Sequence, residues 1–188
     1  MRPRRPGRIL AACCVATLLV AGVIFVDWYA GPAFRHPVVA LHLITSGAPS
    51  HLPVPVAGVR STDVSNSWGS PRPGGRHHEG VDIFAPRGRE IVSSTSGIVV
   101  TVGTNRLGGR IVRVLGPAGY WHYYAHLDSY ASIHEGEIIA PGTVLGYVGN
   151  SGDAASTPTH LHYGIYRFRG GAINPYPLIN SKGKASGV

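Results

Sequence analysis

The stretch GRIVRVLGPAGYWHYYAHL, residues 109–127, decides the fold. Two runs rich in Val, Ile, Tyr and Leu flank the tetrapeptide GPAG at Gly116–Gly119, whose glycines and proline are typical of a turn. β-Branched and aromatic residues favour strands over helices. The stretch therefore predicts an antiparallel hairpin in which Tyr120–His126 lies beside Arg110–Leu115.

The same composition continues on both sides of this hairpin. Short runs of strand-forming residues alternate with Gly, Pro and Asn turns in REIVSSTSGIVVTVG (89–103), GEIIAPGTVLGYVGNSG (136–152) and THLHYGIYRF (159–168). From Val54 onward no segment has the 3.6-residue apolar period of an amphipathic helix of ten or more residues. The sequence thus predicts an all-β domain of small antiparallel sheets over residues 54–178.

The N-terminal 26 residues have a different character. Residues 9–26 form an uncharged apolar run of 18 residues, which as a helix is about 27 Å long and just spans a bilayer core. Four arginines precede it within residues 1–8, which predicts a cytoplasmic basic segment followed by a transmembrane signal anchor. We therefore expect a single-pass protein of the cell membrane, with its domain on the extracytoplasmic side. A cleaved signal peptide, followed by secretion, and a buried core helix are the alternatives.

The remaining segments carry little regular pattern. Residues 27–53 contain Pro, Gly and Ser without sustained periodicity and are interpreted as a linker, and residues 179–188 as a flexible tail. The only two cysteines, Cys13 and Cys14, lie within the apolar run. The domain therefore has no thiol for a disulfide or a metal, and any metal ion there must be held by His, Asp or Glu.

The net charge of +8 divides between the two ends of the chain. Four arginines precede the apolar run, and the chain from Ser46 onward contains 12 basic and 8 acidic residues, an excess of four positive charges. A modest positive surface on the envelope side suits an anionic polymer and gives no specific indication of nucleic-acid binding.

Two histidine motifs predict a metal site. If residues 160–166 form a strand, His160 and His162 project from one face, because side chains alternate along a strand. His78 and Asp82 are four residues apart, about 13 Å in an extended chain, so they can share an ion only if the backbone bends between them. Gly80 permits that bend.

His78, Asp82 and one histidine of the HLH pair would give three nitrogen and oxygen ligands, with a fourth position open to water. This composition is typical of a catalytic rather than a structural zinc site.

Five segments in order resemble one family, the lysostaphin/LytM-type zinc metallopeptidases, which cut peptide bonds in bacterial peptidoglycan. They are NSWGSPR, HHEGVDIFAPRGREIVSSTSGIVV, YYAHL, EGEIIAPGTVLGYVGNSG and THLHYGIYRF, between about Val54 and Leu178. The resemblance implies a fold of the duplicated hybrid motif type, one Zn²⁺ ion and peptidoglycan as the partner. One departure is Tyr163-Gly164, where the family commonly has an aromatic followed by an acidic residue.

The resemblance also implies residue roles. His78, Asp82 and His162 would be the zinc ligands, and His126 and His160 metal-free catalytic histidines that share proton transfer and oxyanion stabilisation. His77 falls outside the motif and is expected to be dispensable. The other histidines are interpreted as surface or packing residues; these are His36, His42, His51, His122 and His134.

Three further hypotheses follow from the sequence. Tyr124, two positions before His126, either faces the site or packs in the core. The loop before the HLH strand, which consists of Asn150, Ser151 and the polar run of residues 152–158, is expected to contribute to a substrate groove. A non-catalytic factor that binds peptidoglycan or activates another hydrolase is the alternative function. A lipoyl or biotinyl carrier is set aside, because the only lysines are Lys182 and Lys184 at the far C-terminus.

Overall fold

Strands form most of the regular structure in the described part of the chain, as expected. A computed structural model describes residues 31–33, 35–168 and 170–180, so the predicted anchor over residues 9–26 lies outside the described residues, as does most of the predicted tail. In the part that is described, no helix has the length and apolar character needed to cross a membrane.

The domain is built from short antiparallel strands joined by turns. The strands are β1 (Pro71–Arg72), β2 (Arg76–His77), β3 (Val81–Phe84), β4 (Glu90–Val92), β5 (Gly97–Asn105), β6 (Gly109–Leu115), β7 (Trp121–Tyr130), β8 (Ile138–Ile139), β9 (Val144–Val148), β10 (His160–Tyr166) and β11 (Ala172–Ile173). Helix α1 (Pro37–Thr45) precedes them and helix α2 (Tyr176–Ile179) follows. The predicted all-β class is confirmed.

The hairpin predicted over residues 109–127 is present. Strands β6 and β7 pair antiparallel, with Leu115 opposite Trp121 at the closed end. The turn between them is a single 3₁₀ turn over Pro117–Gly119. Ala118 and Gly119 both have positive φ there, 59° and 67°, a region that glycine enters without steric cost.

The sheets are more connected than the sequence suggests. Among the described residues, nine strands belong to one network with the order β11-β10-β7-β6-β5-β8, to which β3, β4 and β9 are attached, and β1 and β2 form a separate ribbon. The long strand β7 pairs with β6, β10 and β9, and β10 pairs with β7, β3 and β11. These two strands therefore join what we expected to be several small sheets.

Part of the segment interpreted as a linker is helical. Helix α1 buries Ala40 and Leu43, which belong to an apolar cluster that also contains Ile98, Val100 and Leu115. Apolar residues occupy nearly every face of this helix, and Val38 on its outer side is 79% exposed. Because this helix has no polar face opposite an apolar one, its sequence lacks the 3.6-residue hydrophobic period of an amphipathic helix.

Hydrogen bonds link four buried polar side chains of the domain. The Tyr163 hydroxyl lies 2.7 Å from His122 Nδ1 and 2.6 Å from Ser94 Oγ, which in turn lies 3.1 Å from the Tyr124 hydroxyl. His122 is completely buried, and its Nε2 has no hydrogen-bond partner in the described structure. Burial lowers the pKa of His122 to about 3, so the ring is neutral in the folded protein.

This buried histidine predicts acid sensitivity. Below about pH 6.5 an unfolded histidine takes up a proton that folded His122 does not take up until about pH 3, so stability falls as the pH falls through this window. We expect wild type to lose about 1.4 kcal/mol of unfolding free energy per pH unit relative to His122→Asn. Urea unfolding at pH 7.5, 6 and 5 measures the difference. The same substitution at exposed His134 is the control, and a gap that does not change with pH would contradict the prediction.

Candidate metal and catalytic site

Two paired strands place the first two candidate ligands opposite each other. Strand β10 runs antiparallel to β3, with His162 opposite Asp82 and His160 opposite Phe84. Directly opposed residues on one face of such a pair have Cβ atoms about 5 Å apart. The predicted strand over residues 160–166 is thus confirmed, and its pairing with β3 aims the side chain of His162 at that of Asp82.

The third candidate ligand, His78, lies on the other side of a backbone bend from Asp82. Strand β2 ends at His77 and β3 begins at Val81, and the backbone bends at Gly80 between them, as predicted. His78 Nε2 lies 2.8 Å from His162 Nδ1 and 3.0 Å from Asp82 Oδ1, and His162 Nδ1 lies 3.2 Å from the same oxygen. His78, Asp82 and His162 form a group that could hold a metal ion.

This triangle of atoms fits a zinc-sized ion. Zinc binds nitrogen and oxygen at about 2.0–2.1 Å in tetrahedral geometry, which places neighbouring ligand atoms about 3.3 Å apart. The three observed separations, 2.8, 3.0 and 3.2 Å, come close to that edge length. The donor set contains two imidazoles and one carboxylate, which suits zinc as well as other first-row metals.

Gly80 is required for a reason other than its backbone angles. Its φ lies outside the left-handed region, but a Cβ placed there would lie 2.6 Å from His162 Cε1 and 2.6 Å from the carbonyl oxygen of Tyr163. The sequence indicated that a glycine allows the bend, and the structure shows that it allows the His162 ring to approach the backbone.

Gly80→Ala tests this close approach. We expect the added methyl group to displace His162 and β10, with a loss of about 1–3 kcal/mol in unfolding free energy and weaker metal binding. Denaturant unfolding of the metal-free protein and a zinc titration measure the two effects. Gly103→Ala is the matched strand control, because its Cβ would meet only Thr101 Cγ2 at 3.8 Å. Equal stability of the two variants would contradict the expectation.

The charges at the site favour ionised Asp82. Its side chain is 9% exposed, and Arg72 Nη2 donates to Oδ2 while Oδ1 faces the histidines. Burial alone would raise the pKa of the Asp82 carboxyl, but hydrogen bonds and charge interactions with His162 and His78 outweigh it and hold the pKa well below its usual range. Burial lowers the pKa of His162, which favours a neutral ring with a lone pair for a metal.

Backbone carbonyls fix the tautomers of three site histidines. The Nδ1 atoms of His78, His126 and His160 lie 2.7, 2.8 and 2.8 Å from the carbonyl oxygens of Ser67, Ser151 and Pro158. A carbonyl only accepts, so each Nδ1 carries the proton and donates. In the neutral ring the lone pair then lies on Nε2.

His126 and His160 lie beside the candidate ligands. Their ring centroids are 5.0 Å apart, and the His126 ring is 5.9 Å from that of His162. Nε2 of His160 is 3.8 Å from Asp82 Oδ1, and Nε2 of His126 is 3.9 Å from Asp153 Oδ1. Burial lowers the pKa of His126 to about 4, so this ring is neutral at neutral pH and carries a lone pair. The structure thus brings all five predicted site residues together.

A bulge in β7 decides which tyrosine faces the site. Between the pairs Tyr124–Val112 and Leu127–Arg110, three steps along β7 oppose two along β6, and His126 has a φ of 66°. Tyr124 therefore packs in the core with no exposed surface. The sequence missed Tyr123, whose ring meets that of His162 edge-on at 5.9 Å and whose hydroxyl accepts from Asn105 Nδ2 at 3.1 Å.

Other residues named from the sequence lie outside the cluster. His77 and His134 are exposed, and His122 is buried in the core. The departure at Tyr163-Gly164 removes no candidate ligand: Tyr163 points into the core toward Ser94, and Gly164 lies close to the carbonyl oxygen of Glu79.

The sequence of this chain is similar to those of known peptidases. The profile of peptidase family M23 matches residues 76–175. L-Ala-D-Glu endopeptidase of Bacillus subtilis is 41% identical over 133 residues, 64% of this chain and 41% of that protein. Lysostaphin of Staphylococcus simulans is 31% identical over 122 residues, 61% of this chain and 24% of the relative. The chain therefore spans less than half the length of either relative.

Solved structures extend the likeness to the fold. The catalytic domain of the antimicrobial peptidase lysostaphin from Staphylococcus simulans aligns with a TM-score of 0.56 and 26% identity, over 61% of this chain and 89% of that domain. A mutant catalytic domain of the prophage-encoded M23 protein EnpA from Enterococcus faecalis aligns with a TM-score of 0.54 and 27% identity, over 68% and 94%.

Proposed function

The chain belongs to peptidase family M23, and from this premise we propose that it is a zinc-dependent metallo-endopeptidase that hydrolyses peptide bonds of bacterial peptidoglycan. One observation carries the proposal: two imidazole nitrogens and a carboxylate oxygen converge within about 3 Å of one another beside two further histidines. Its relatives in the family include an L-Ala-D-Glu endopeptidase.

Each site residue has a role in this proposal. His78, Asp82 and His162 hold one Zn²⁺ ion, and His126 and His160 act on the substrate without binding the metal. When bound, zinc polarises a carbonyl oxygen and lowers the pKa of a coordinated water. The hydrogen bond from Nδ1 of His126 to the Ser151 carbonyl leaves the lone pair of the neutral ring on Nε2, which is the atom that would exchange a proton with substrate or water.

The two histidines that do not bind the metal, His126 and His160, have different catalytic roles. One Nε2 removes a proton from the attacking water and passes it to the leaving amine, and the protonated or hydrogen-bonded partner stabilises the oxyanion. Their centroid separation of 5.0 Å lets both rings reach one peptide group. The exposed ring of Phe84, 5.3 Å from that of His160, offers an apolar surface at the edge of the site.

The loop before β10 would form one wall of a substrate groove. Ser151 O accepts from His126, and Asp153 within the same loop lies 3.9 Å from His126 Nε2 and 3.6 Å from Arg76 Nη2. A long substrate passing the site therefore meets this loop next to a catalytic histidine. Exchanging residues 152–158 is expected to change the bond that is cut, and an unchanged cleavage pattern would count against a role in the groove.

The proposal includes a place in the cell. A domain tethered by the apolar run of residues 9–26, with arginines before it, would face the extracytoplasmic side, where peptidoglycan lies. Protease protection in spheroplasts tests this location: a domain digested from outside supports it, whereas a domain protected until lysis contradicts it.

Mass spectrometry of purified peptidoglycan tests the activity. The full-length zinc-loaded protein is incubated with walls of several cross-bridge types, with His162→Ala as the control. New peptide ends that appear only with the unaltered protein would establish an endopeptidase and identify its bond, and the L-Ala-D-Glu bond is the first to inspect. Intact walls despite bound zinc would favour a non-catalytic factor that activates another hydrolase.

A further inference from the structure

The segment Asn66–Arg72, NSWGSPR, lies before the region matched by the family profile and yet contacts two of the three proposed ligands. We propose that Ser67 and Arg72 in this segment are positioning residues, which orient His78 and Asp82 for zinc without binding the metal themselves. This inference rests on the proposed zinc site, and it assigns a role to a motif from which the proposed activity uses no residue.

Ser67 contacts both sides of the bend at Gly80. Its carbonyl oxygen accepts from His78 Nδ1 at 2.7 Å, and its Oγ accepts from the backbone N–H of Asp82 at 2.9 Å. The first bond sets the tautomer and the plane of the His78 ring, and the second fixes the backbone from which the carboxylate projects. One residue thus determines the relative position of two ligands that are four apart in the chain.

The segment is itself held against His78 by backbone bonds. The N–H of Gly69 donates to the carbonyl of His78 at 2.9 Å, and the N–H of His78 donates to the carbonyl of Ser70 at 2.9 Å. These two bonds continue the ladder of the β1–β2 ribbon, in which Pro71 lies opposite His77. Ser67 therefore has little freedom to move away from the ring that it orients.

Arg72 controls the orientation of the carboxylate. Its Nη2 donates to Asp82 Oδ2, while Oδ1 lies 3.0 Å from His78 Nε2 and 3.2 Å from His162 Nδ1. The arginine side chain is 36% exposed and the carboxylate only 9%, so solvent reaches the guanidinium while the carboxylate that it holds stays largely buried. Because Oδ2 is bonded to Arg72, Asp82 presents only Oδ1 to the metal and is held in one rotamer.

Two effects of Arg72 on zinc binding oppose each other. Its positive charge repels a dication, and its hydrogen bond removes the rotational freedom of a ligand. Outer partners of metal ligands typically contribute 10- to 100-fold in affinity. Repulsion from a partly exposed guanidinium is weakened by solvent and salt. We therefore expect orientation to dominate, so that loss of Arg72 weakens zinc binding.

The test is the zinc dissociation constant of the full-length protein, measured by competition with a chromogenic chelator. Arg72→Gln is expected to bind zinc about 10- to 100-fold more weakly. Ser67→Ala, which keeps the carbonyl but loses Oγ, is expected to bind about 3- to 10-fold more weakly. Arg72→Lys should recover part of the loss, since it retains a donor but lacks the planar fork. The visible spectrum of the Co²⁺ form reports any change in ligand geometry.

Arg60→Gln is the matched control. It breaks an Arg–Asp pair of the same chemistry, with bonds of 3.0 Å to Asp63, at a site whose arginine side chain is 79% exposed. Its zinc affinity and Co²⁺ spectrum are expected to match those of wild type. The unfolding midpoint of each metal-free protein shows whether a variant still folds; if Arg72→Gln does not, Ser67→Ala decides.

The outcomes separate this inference from the proposed function. If wild type binds zinc and Arg72→Gln and Ser67→Ala bind it as tightly as Arg60→Gln, the positioning role is wrong and the zinc peptidase still stands. Tighter binding by Arg72→Gln would mean that charge repulsion dominates, which also overturns the inference. If wild type itself binds no zinc, the proposed function fails and the positioning role fails with it.

Discussion

Asp82→Asn will lose zinc and with it the ability to cut peptide bonds. The change keeps the shape of the side chain but removes the negative charge and replaces one oxygen with an NH₂ group. Asp82 Oδ1 lies within 3.2 Å of both candidate histidine ligands, so the amide has to turn a donor toward them or toward Arg72. The loss in zinc affinity should exceed about 100-fold, because partners outside the ligand set already contribute 10- to 100-fold.

Metal content after dialysis and the rate of peptide cleavage measure this effect together. Glu79→Gln is the matched control, since it removes the same charge from an exposed side chain three residues away. That control should keep one zinc per chain and full activity. An Asp82→Asn protein that retains stoichiometric zinc would show that the carboxylate is not a ligand.

His126→Ala and His160→Ala will separate catalysis from metal binding. Both rings lie beside the cluster without belonging to it, and their Nδ1 atoms donate to the backbone, which leaves Nε2 for the substrate. General acid–base catalysis typically contributes 10²- to 10⁴-fold, so we expect kcat to fall by about that factor in each variant. Zinc content should remain at one ion per chain.

Steady-state kinetics on an isolated stem peptide give kcat and KM separately for these variants. A rise in KM with unchanged kcat would indicate that the histidines bind substrate and do not transfer protons. His77→Ala is the control: this exposed histidine, next to His78 in the chain, donates from Nδ1 to the Gly69 carbonyl at 3.2 Å and lies outside the cluster. Loss of zinc from His126→Ala would contradict its assignment as a metal-free residue.

The sequence predicted the local elements of the site because their signals are local. The turn residues of GPAG predicted the β6–β7 hairpin, and the alternation in THLH predicted a strand that projects His160 and His162 together, and both are confirmed. The spacing of His78 and Asp82 also predicted a bend, because they can share an ion only if the backbone bends between them. This bend is confirmed. The roles of the five site residues remain predictions, although their side chains meet in space.

Other features depend on contacts that spacing does not reveal. Strand alternation associates Tyr124 with His126, but the bulge and positive φ at His126 shift the face by one residue and bring Tyr123 to the site. The hydrogen bond of Arg72 to Asp82 joins residues of different strands, and nothing in NSWGSPR specifies that partner. Helix α1 was not predicted from the sequence because it has apolar residues on all sides. Its burial depends on the sheet against which it packs.

A zinc titration of the metal-free, full-length protein tests the central claim most directly, with cleavage of a peptidoglycan stem peptide as the readout. The proposed function predicts that activity is absent without metal, rises linearly with added zinc and levels off at one equivalent. His162→Ala should show no rise at any zinc concentration. Full cleavage by the metal-free protein, or a rise that is equal in His162→Ala, would contradict a catalytic zinc ion held by His78, Asp82 and His162.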